Sequence, residues 1–62
     1  MPVITVALDQ TSEEQKKKLV ETLTREASEI TRKPAEHFVV YIQEYAHENI
    51  GLGGKTIKAL RG

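Results

Sequence analysis

Two short apolar segments that flank a long amphipathic stretch constrain the fold of this chain more than any other feature. Residues 3–8 read Val-Ile-Thr-Val-Ala-Leu, and residues 38–45 read Phe-Val-Val-Tyr-Ile-Gln-Glu-Tyr. Such β-branched and aromatic side chains favour strands. Apolar side chains stand at both odd and even positions in the first segment, and in the second as far as Gln43. That pattern is typical of strands that are covered on both faces.

The stretch between these segments is predicted to be a helix over residues 12–31. Ser12 with Gln15, or Thr11 with Glu14, has the spacing of a capping box at its start. Two basic residues and then a proline follow its predicted end, where cations and a proline favour termination. The apolar residues that recur at helical spacing and are expected to face the strands are Leu19, Val20, Leu23, Ala27 and Ile30.

A strand, a helix and a second strand make a β-α-β unit, in which the two strands are parallel and the crossover is right-handed. After it, Gly51-Leu52-Gly53-Gly54 indicates a tight turn and a hairpin. Residues 55–60 then continue as a short strand or as a turn of helix. The sequence therefore predicts one α+β domain over residues 1–62, a β-α-β protomer with parallel strands plus a C-terminal β-hairpin.

The single predicted helix can cover only one face of a two-stranded sheet. The opposite faces of both strands are also apolar, and the chain has no element left to cover them. A monomer would expose an apolar patch and open sheet edges. We therefore expect a homo-oligomer, at least a dimer.

Composition excludes several classes of partner and site. Nine basic and nine acidic residues give a net charge of zero, which provides no attraction toward nucleic acid or an anionic membrane. The longest apolar run is the five residues 38–42, far short of the roughly 20 that span a bilayer. Cysteine is absent, so disulfides and thiolate chemistry are excluded. The N-terminus lacks the pattern of a secretory signal, which predicts a cytoplasmic protein.

Few side chains offer an obvious chemistry. His37 and His47 lack the spacing of a metal pair and suit surface or strand-end positions. Glu44 and Glu48 could serve as acid and base, although a strand end and a loop are ordinary places for glutamate. The lysines at 16–18 are interpreted as a solvated face. We expect no metal and no cofactor.

Pro2 is a different kind of candidate because it directly follows the initiator methionine. Aminopeptidases remove methionine when the second residue is small, which would leave a secondary amine at Pro2. Such an amine is a base and a nucleophile without any side chain. At the start of a buried strand it would be desolvated, which lowers its pKa toward neutrality.

Taken in order, these features resemble the 4-oxalocrotonate tautomerase family over essentially the full length of the chain. Family members begin Met-Pro and continue with a short apolar strand. The capping box follows, here Ser12-Glu13-Glu14-Gln15-Lys16, and then the long helix. A second apolar strand ends near a glutamate, here Glu44, and a hairpin of the form Gly51-Leu52-Gly53-Gly54 completes the pattern.

The resemblance implies a cofactor-free keto–enol tautomerase in which the amino-terminal Pro2 acts as general base, in dimers usually assembled into hexamers. Three family positions depart from the usual residues. Thr11 and Val39 stand where members active on dicarboxylates carry arginines, and Ile50 replaces an aromatic residue. The resemblance marks these as substrate-binding positions, but two guanidinium groups that grip carboxylates are missing.

A cation from a neighbouring subunit could replace the arginines, with Lys33, Lys55 and Arg61 as candidates, and the sequence does not choose among them. Because both arginines are missing, a monoacid enol such as phenylenolpyruvate is a more plausible substrate than a dicarboxylate such as 2-hydroxymuconate. The alternative to an enzyme is a tautomerase-like oligomer that lost efficient chemistry with its arginines and has a structural or binding role. Tautomerase assays that compare the native protein with Pro2→Ala distinguish the enzyme from the structural or binding protein.

Overall fold

The computed structural model describes residues 1–61 and has the predicted architecture. Its elements in chain order are β1 (Val3–Leu8), α1 (Glu13–Thr31), β2 (Val39–Glu44), β3 (Gly51–Leu52), β4 (Lys55–Thr56) and α2 (Ile57–Arg61). Single 3-10 turns at Ala35–His37 and His47–Asn49 precede β2 and β3. β1 pairs in parallel with β2, and β3 pairs antiparallel with β4. The predicted α+β class, with a β-α-β unit and a C-terminal hairpin, is confirmed.

A capping box starts α1, and it uses the first of the two predicted pairs. The Ser12 hydroxyl accepts a hydrogen bond from the Gln15 amide at 3.1 Å, and the Gln15 side chain accepts one from the Ser12 amide at 3.0 Å. These bonds satisfy two amides that would otherwise lack partners. The alternative pair of Thr11 with Glu14 is not formed, because α1 begins at Glu13 with Ser12 as its N-cap.

Alternate residues of β1 face opposite sides of the sheet. Ile4, Val6 and Leu8 are half-buried on the side of α1, whereas Val3, Thr5 and Ala7 are exposed on the other side. Register partners in a parallel pair share a face, so Tyr41, opposite Thr5, lies on the open side. Val3 is 50% and Tyr41 54% exposed. One face of the sheet is thus uncovered by residues 1–61.

The helix is longer than the sheet that it covers, which corrects one expectation about its apolar face. Leu19, Leu23 and Ala27 are half-buried, but Ile30 is 80% exposed. Nineteen helical residues span roughly 28 Å. Strands of six residues span only about 20 Å. The last turn of α1 therefore extends past the strands, and Ile30 has nothing to pack on within residues 1–61.

A single chain does not form a buried hydrophobic core within residues 1–61. None of residues 1–61 is fully buried, and the accessible surface is 5017 Å². A compact monomer of 7.0 kDa would expose only about 4,000 Å². The radius of gyration is 14.9 Å, against about 10.6 Å for a compact chain of this length. Both quantities describe an extended chain.

The hairpin turn requires glycine at two positions, Gly53 and Gly54. Gly53 and Gly54 have φ values of 62° and 85°, which place both in the left-handed region. Leu52 and Lys55, on either side of them, are register partners. A two-residue turn of this kind requires positive φ at both central residues, which glycine adopts without strain. Residues 55–60 combine the two predicted alternatives, a short strand followed by a turn of helix.

Candidate active site

Pro2 lies at the amino-terminal edge of the parallel sheet. It immediately precedes β1, is half-buried, and its carbonyl oxygen accepts a hydrogen bond from the Val39 amide at 2.9 Å. That bond extends the ladder by one step beyond the paired residues Val3 and Val39. The backbone of Pro2 is therefore fixed by the start of β2, a segment far away in the sequence.

An open cleft of about 510 Å³ surrounds Pro2. Its volume lies within the range of small-molecule sites. Three of its lining residues, Met1, Pro2 and Pro34, are apolar, and the other two are Lys33 and His37. Met1 is 87% exposed.

Short-range hydrogen bonds hold the segment that carries Lys33 and His37. Arg32 ends α1 in the left-handed conformation, with φ at 58°, and turns the chain toward the sheet. The Ser28 hydroxyl donates to the Lys33 carbonyl oxygen at 2.6 Å. The His37 amide donates to the Pro34 carbonyl oxygen at 3.1 Å. Both cleft residues thus stand on a backbone with little freedom, next to Pro2.

Thr11 lies at the opposite, carboxyl-terminal end of the sheet. Its amide donates to Glu44 Oε2 at 2.9 Å, and the other carboxylate oxygen, Oε1, lies 2.7 Å from Lys16 Nζ. Glu44 therefore joins the end of β2 to the loop before α1 and to the first turns of that helix.

The same contacts lower the pKa of Glu44. The hydrogen bond from Lys16 contributes most, followed by the Thr11 amide, and both favour the charged carboxylate. A carboxylate stabilised in this way is a poor proton donor near neutral pH, which argues against Glu44 as an acid catalyst. Lys16, the first of the three consecutive lysines, therefore forms an ion pair with Glu44, whereas the three were expected to form a solvated face.

Ile50 also lies toward the carboxyl-terminal end of the sheet. It is half-buried, and its carbonyl oxygen accepts a hydrogen bond from the Ile57 amide at 2.8 Å, which ties the hairpin back on itself. In the 3-10 turn just before it, His47 Nε2 lies 3.2 Å from Asp9 Oδ2. Asp9 follows β1, so this contact places the turn near the loop that carries Thr11.

One chain does not bring the four predicted site residues together. Pro2 and Val39 lie at one end of the sheet, and Thr11 lies past the other end, beyond a strand of six residues. Such a strand spans about 20 Å, which is too far for one small substrate. Neither Thr11 nor Val39 nor Ile50 lines the cleft of Pro2.

Metal and membrane sites find no support within the described chain. His37 and His47 stand at opposite ends of β2, so they do not form a pair. Across residues 1–61, no three His, Asp or Glu side chains are grouped as a metal ion would require. Neither of the two helices in that range has the length and apolar character needed to cross a bilayer.

Comparison with known proteins agrees with this architecture. A family model described as "Tautomerase enzyme" matches residues 2–60. The chain is a member of the tautomerase family. A probable tautomerase of Bacillus cereus is 43% identical to this tautomerase over 58 residues, which cover 92% of the chain and 95% of the relative. The resemblance to the 4-oxalocrotonate tautomerase family is thereby confirmed.

Solved structures of 4-oxalocrotonate tautomerase homologues have the same fold as this tautomerase. TomN, a homologue in the tomaymycin biosynthetic pathway, superposes with a TM-score of 0.90 at 31% identity, covering 97% of this chain and 94% of its own. A heterohexameric 4-oxalocrotonate tautomerase from Chloroflexus aurantiacus superposes with a TM-score of 0.86 at 27% identity, covering 98% and 100%.

His37 is the cleft residue of this tautomerase that sequence reasoning missed. It was interpreted as a surface or strand-end histidine, and it lines the cleft beside Pro2. His37 lies two residues before Val39, and the pairing of Val39 with Val3, which the sequence did not specify, places it near Pro2. A residue just before one parallel strand lies near the residue just before the other. Lys33, one of three candidate cations, is the one that lines this cleft.

Proposed function

We propose that this tautomerase, once Met1 is removed, interconverts an enol and its ketone with the secondary amine of Pro2 as general base. The observation that carries the proposal is the position of Pro2. It is half-buried and pinned to β2 through Val39, and it lines a cleft of substrate size. Membership in the tautomerase family supports the same class of isomerase.

The reaction needs one proton carrier and no redox step. The neutral amine of Pro2 takes the proton of the enol hydroxyl, the electron pair moves through the C=C bond, and the oxygen becomes a carbonyl. The protonated amine then returns that proton to carbon, which regenerates the base. Atoms and electrons balance within the substrate and one amine.

The surroundings of Pro2 suit a base that works near neutral pH. Partial burial disfavours the charged ammonium form and so lowers the pKa of the amine. While Met1 remains attached, the nitrogen of Pro2 belongs to a tertiary amide and has no lone pair available for proton abstraction.

We infer that the substrate is an enol acid with one carboxylate, such as an enolpyruvate or a simple 2-hydroxydienoate. Thr11 and Val39 provide no guanidinium group for a second carboxylate, so dicarboxylate enols are expected to react weakly.

We further propose that the active form is a homo-oligomer, with a hexamer favoured and a dimer as the minimum. One face of the sheet is open, and no residue among 1–61 is fully buried. Thr11 and Ile50 can reach a substrate at Pro2 only from a second copy, since they lie a strand length away. The similar protein from Chloroflexus aurantiacus is described as a heterohexamer.

The test is the rate of phenylenolpyruvate ketonisation by the processed chain and by processed Pro2→Ala. General acid–base catalysis contributes roughly 100-fold or more, so we expect kcat/KM to fall by about 100-fold in the variant. Intact mass spectrometry establishes that Met1 is absent from both samples. Equal rates would remove Pro2 from the mechanism and leave a structural or binding role.

A further inference from the structure

The cleft of Pro2 contains only two polar side chains among its lining residues, and both can donate hydrogen bonds. Lys33 carries an ammonium group, and His37 carries a ring nitrogen donor. A few donors on an otherwise apolar wall are the usual means by which a pocket orients a small ligand. Among residues 1–61, no acidic side chain lines the cleft with them.

The charge of Lys33 is not used within the described chain. The ion pairs formed by residues 1–61 are Lys16 with Glu44, Arg25 with Glu26, and His47 with Asp9. Lys33 belongs to none of them, although its backbone is held in place. Ser28 holds its carbonyl oxygen at 2.6 Å, and the left-handed Arg32 precedes it. A well-placed cation without an acidic partner is suited to an external anion.

The other two candidate cations lie elsewhere. Lys55 starts β4 and Arg61 ends α2, so both belong to the C-terminal hairpin unit, and neither lines the cleft of Pro2. Within one chain, Lys33 is therefore the one of the three candidate cations that lies beside Pro2.

We propose that Lys33 and His37 together bind the carboxylate of the substrate and so replace the missing arginines, a role that rests on the proposed tautomerase activity. The Lys33 ammonium is a point charge, and His37 adds one donor from a backbone fixed through Pro34. This pair holds one carboxylate beside Pro2 and leaves nothing for a second. The site thereby selects monoanionic enol acids.

Kinetics of the processed chain test this assignment with a matched pair of substrates. For phenylenolpyruvate, we expect Lys33→Ala to raise KM about tenfold and His37→Ala to raise it severalfold, with smaller changes in kcat. For the methyl ester of the same enol, which lacks the carboxylate charge, the Lys33 effect should disappear. Lys33→Arg should retain most of the affinity for the acid. Lys17→Ala, on the exposed face of α1, should leave KM unchanged for both the acid and the ester.

Binding without turnover separates this assignment from the proposed activity. Calorimetry with trans-cinnamate, an inert carboxylate, should give an affinity about tenfold weaker in Lys33→Ala and unchanged in Lys17→Ala. If Pro2→Ala keeps full activity while Lys33→Ala still weakens cinnamate, the activity proposal fails and the carboxylate site stands. The assignment of Lys33 is overturned if Lys33→Ala changes neither KM nor the affinity for cinnamate. It is also overturned if Lys55→Ala or Arg61→Ala weakens that affinity and Lys33→Ala does not.

Discussion

The carbonyl oxygen of Pro2 accepts a hydrogen bond from the amide of Val39 at 2.9 Å. This bond places the candidate base directly beside the position where dicarboxylate-active members of the resembled family carry an arginine. The side chain of Val39 lies on the same side of the sheet as Val3, its register partner, which is the open side.

Restoring a guanidinium group at this position should change substrate preference. We expect Val39→Arg to raise kcat/KM for 2-hydroxymuconate by about tenfold, because arginine grips a carboxylate through two hydrogen bonds. Val39→Lys is the matched control and should gain less, since lysine offers a single point charge. Both variants should lose some stability from a partly desolvated charge. A native protein already as fast on 2-hydroxymuconate as on phenylenolpyruvate would contradict this expectation.

The Glu44 contacts make stability depend on pH. Lys16 and Thr11 lower the pKa of Glu44 below its ordinary value of 4.5 in the folded state. The stabilisation is therefore fully present above about pH 4.5 and is lost as pH falls through the lower folded pKa. We expect Glu44→Gln to have a lower Tm than the native chain at pH 7, and the difference to shrink toward pH 3.

Lys16→Met is the control for that experiment. If the ion pair is responsible, the Tm losses of Lys16→Met and Glu44→Gln should not add in the double variant, because either change removes the same contact. Two results would contradict the ion pair as the cause. One is additive Tm losses in the double variant at pH 7. The other is a Tm difference between the native chain and Glu44→Gln that grows as the solution is acidified.

Strand and helix positions could be predicted from sequence because they depend on local patterns. β1 was predicted over residues 3–8, and the structure has Val3–Leu8. Helix α1 ends at Thr31 as expected. Each boundary follows from β-branched runs, a capping box or a proline nearby in the chain.

The features that sequence missed all depend on distances between remote segments. The exposure of Ile30 arises because α1 is longer than the strands beneath it, which no helical periodicity reports. The placement of His37 and Lys33 beside Pro2 depends on the parallel register of β1 with β2. The separation of Thr11 from Pro2, by contrast, follows already from the strand predicted over residues 3–8, which lies between them.

The open face of the sheet should be an interface between copies of this chain. Tyr41, 54% exposed in one protomer, lies near its centre opposite Thr5. A buried charge without a partner is costly, so we expect Tyr41→Glu to shift sedimentation equilibrium at micromolar concentration toward smaller species and to lower Tm. Lys17→Glu, a charge change twice as large on the exposed side of α1, should leave the assembly intact. A native chain that is a cooperatively folded monomer would contradict the oligomer.

Retention of Met1 should abolish the activity. The amide nitrogen of a Met1–Pro2 bond cannot accept a proton, and the Met1 side chain lines the cleft. A preparation that keeps Met1, for example one made with its aminopeptidase inhibited, should show at most about 1% of the processed rate. Its far-ultraviolet circular dichroism and its sedimentation should match those of the processed chain. Equal rates for the two forms would exclude the Pro2 amine.

The most direct test of the central claim compares two pKa values in one sample of processed chain. The nitrogen of Pro2 is labelled with ¹⁵N and titrated by NMR, and kcat/KM for phenylenolpyruvate is measured over the same pH range. The account predicts a rate that rises as the amine loses its proton, with a kinetic pKa equal to the titrated one. A rising limb whose pKa differs from that of the Pro2 amine, or a rate that does not change as the amine titrates, would contradict it.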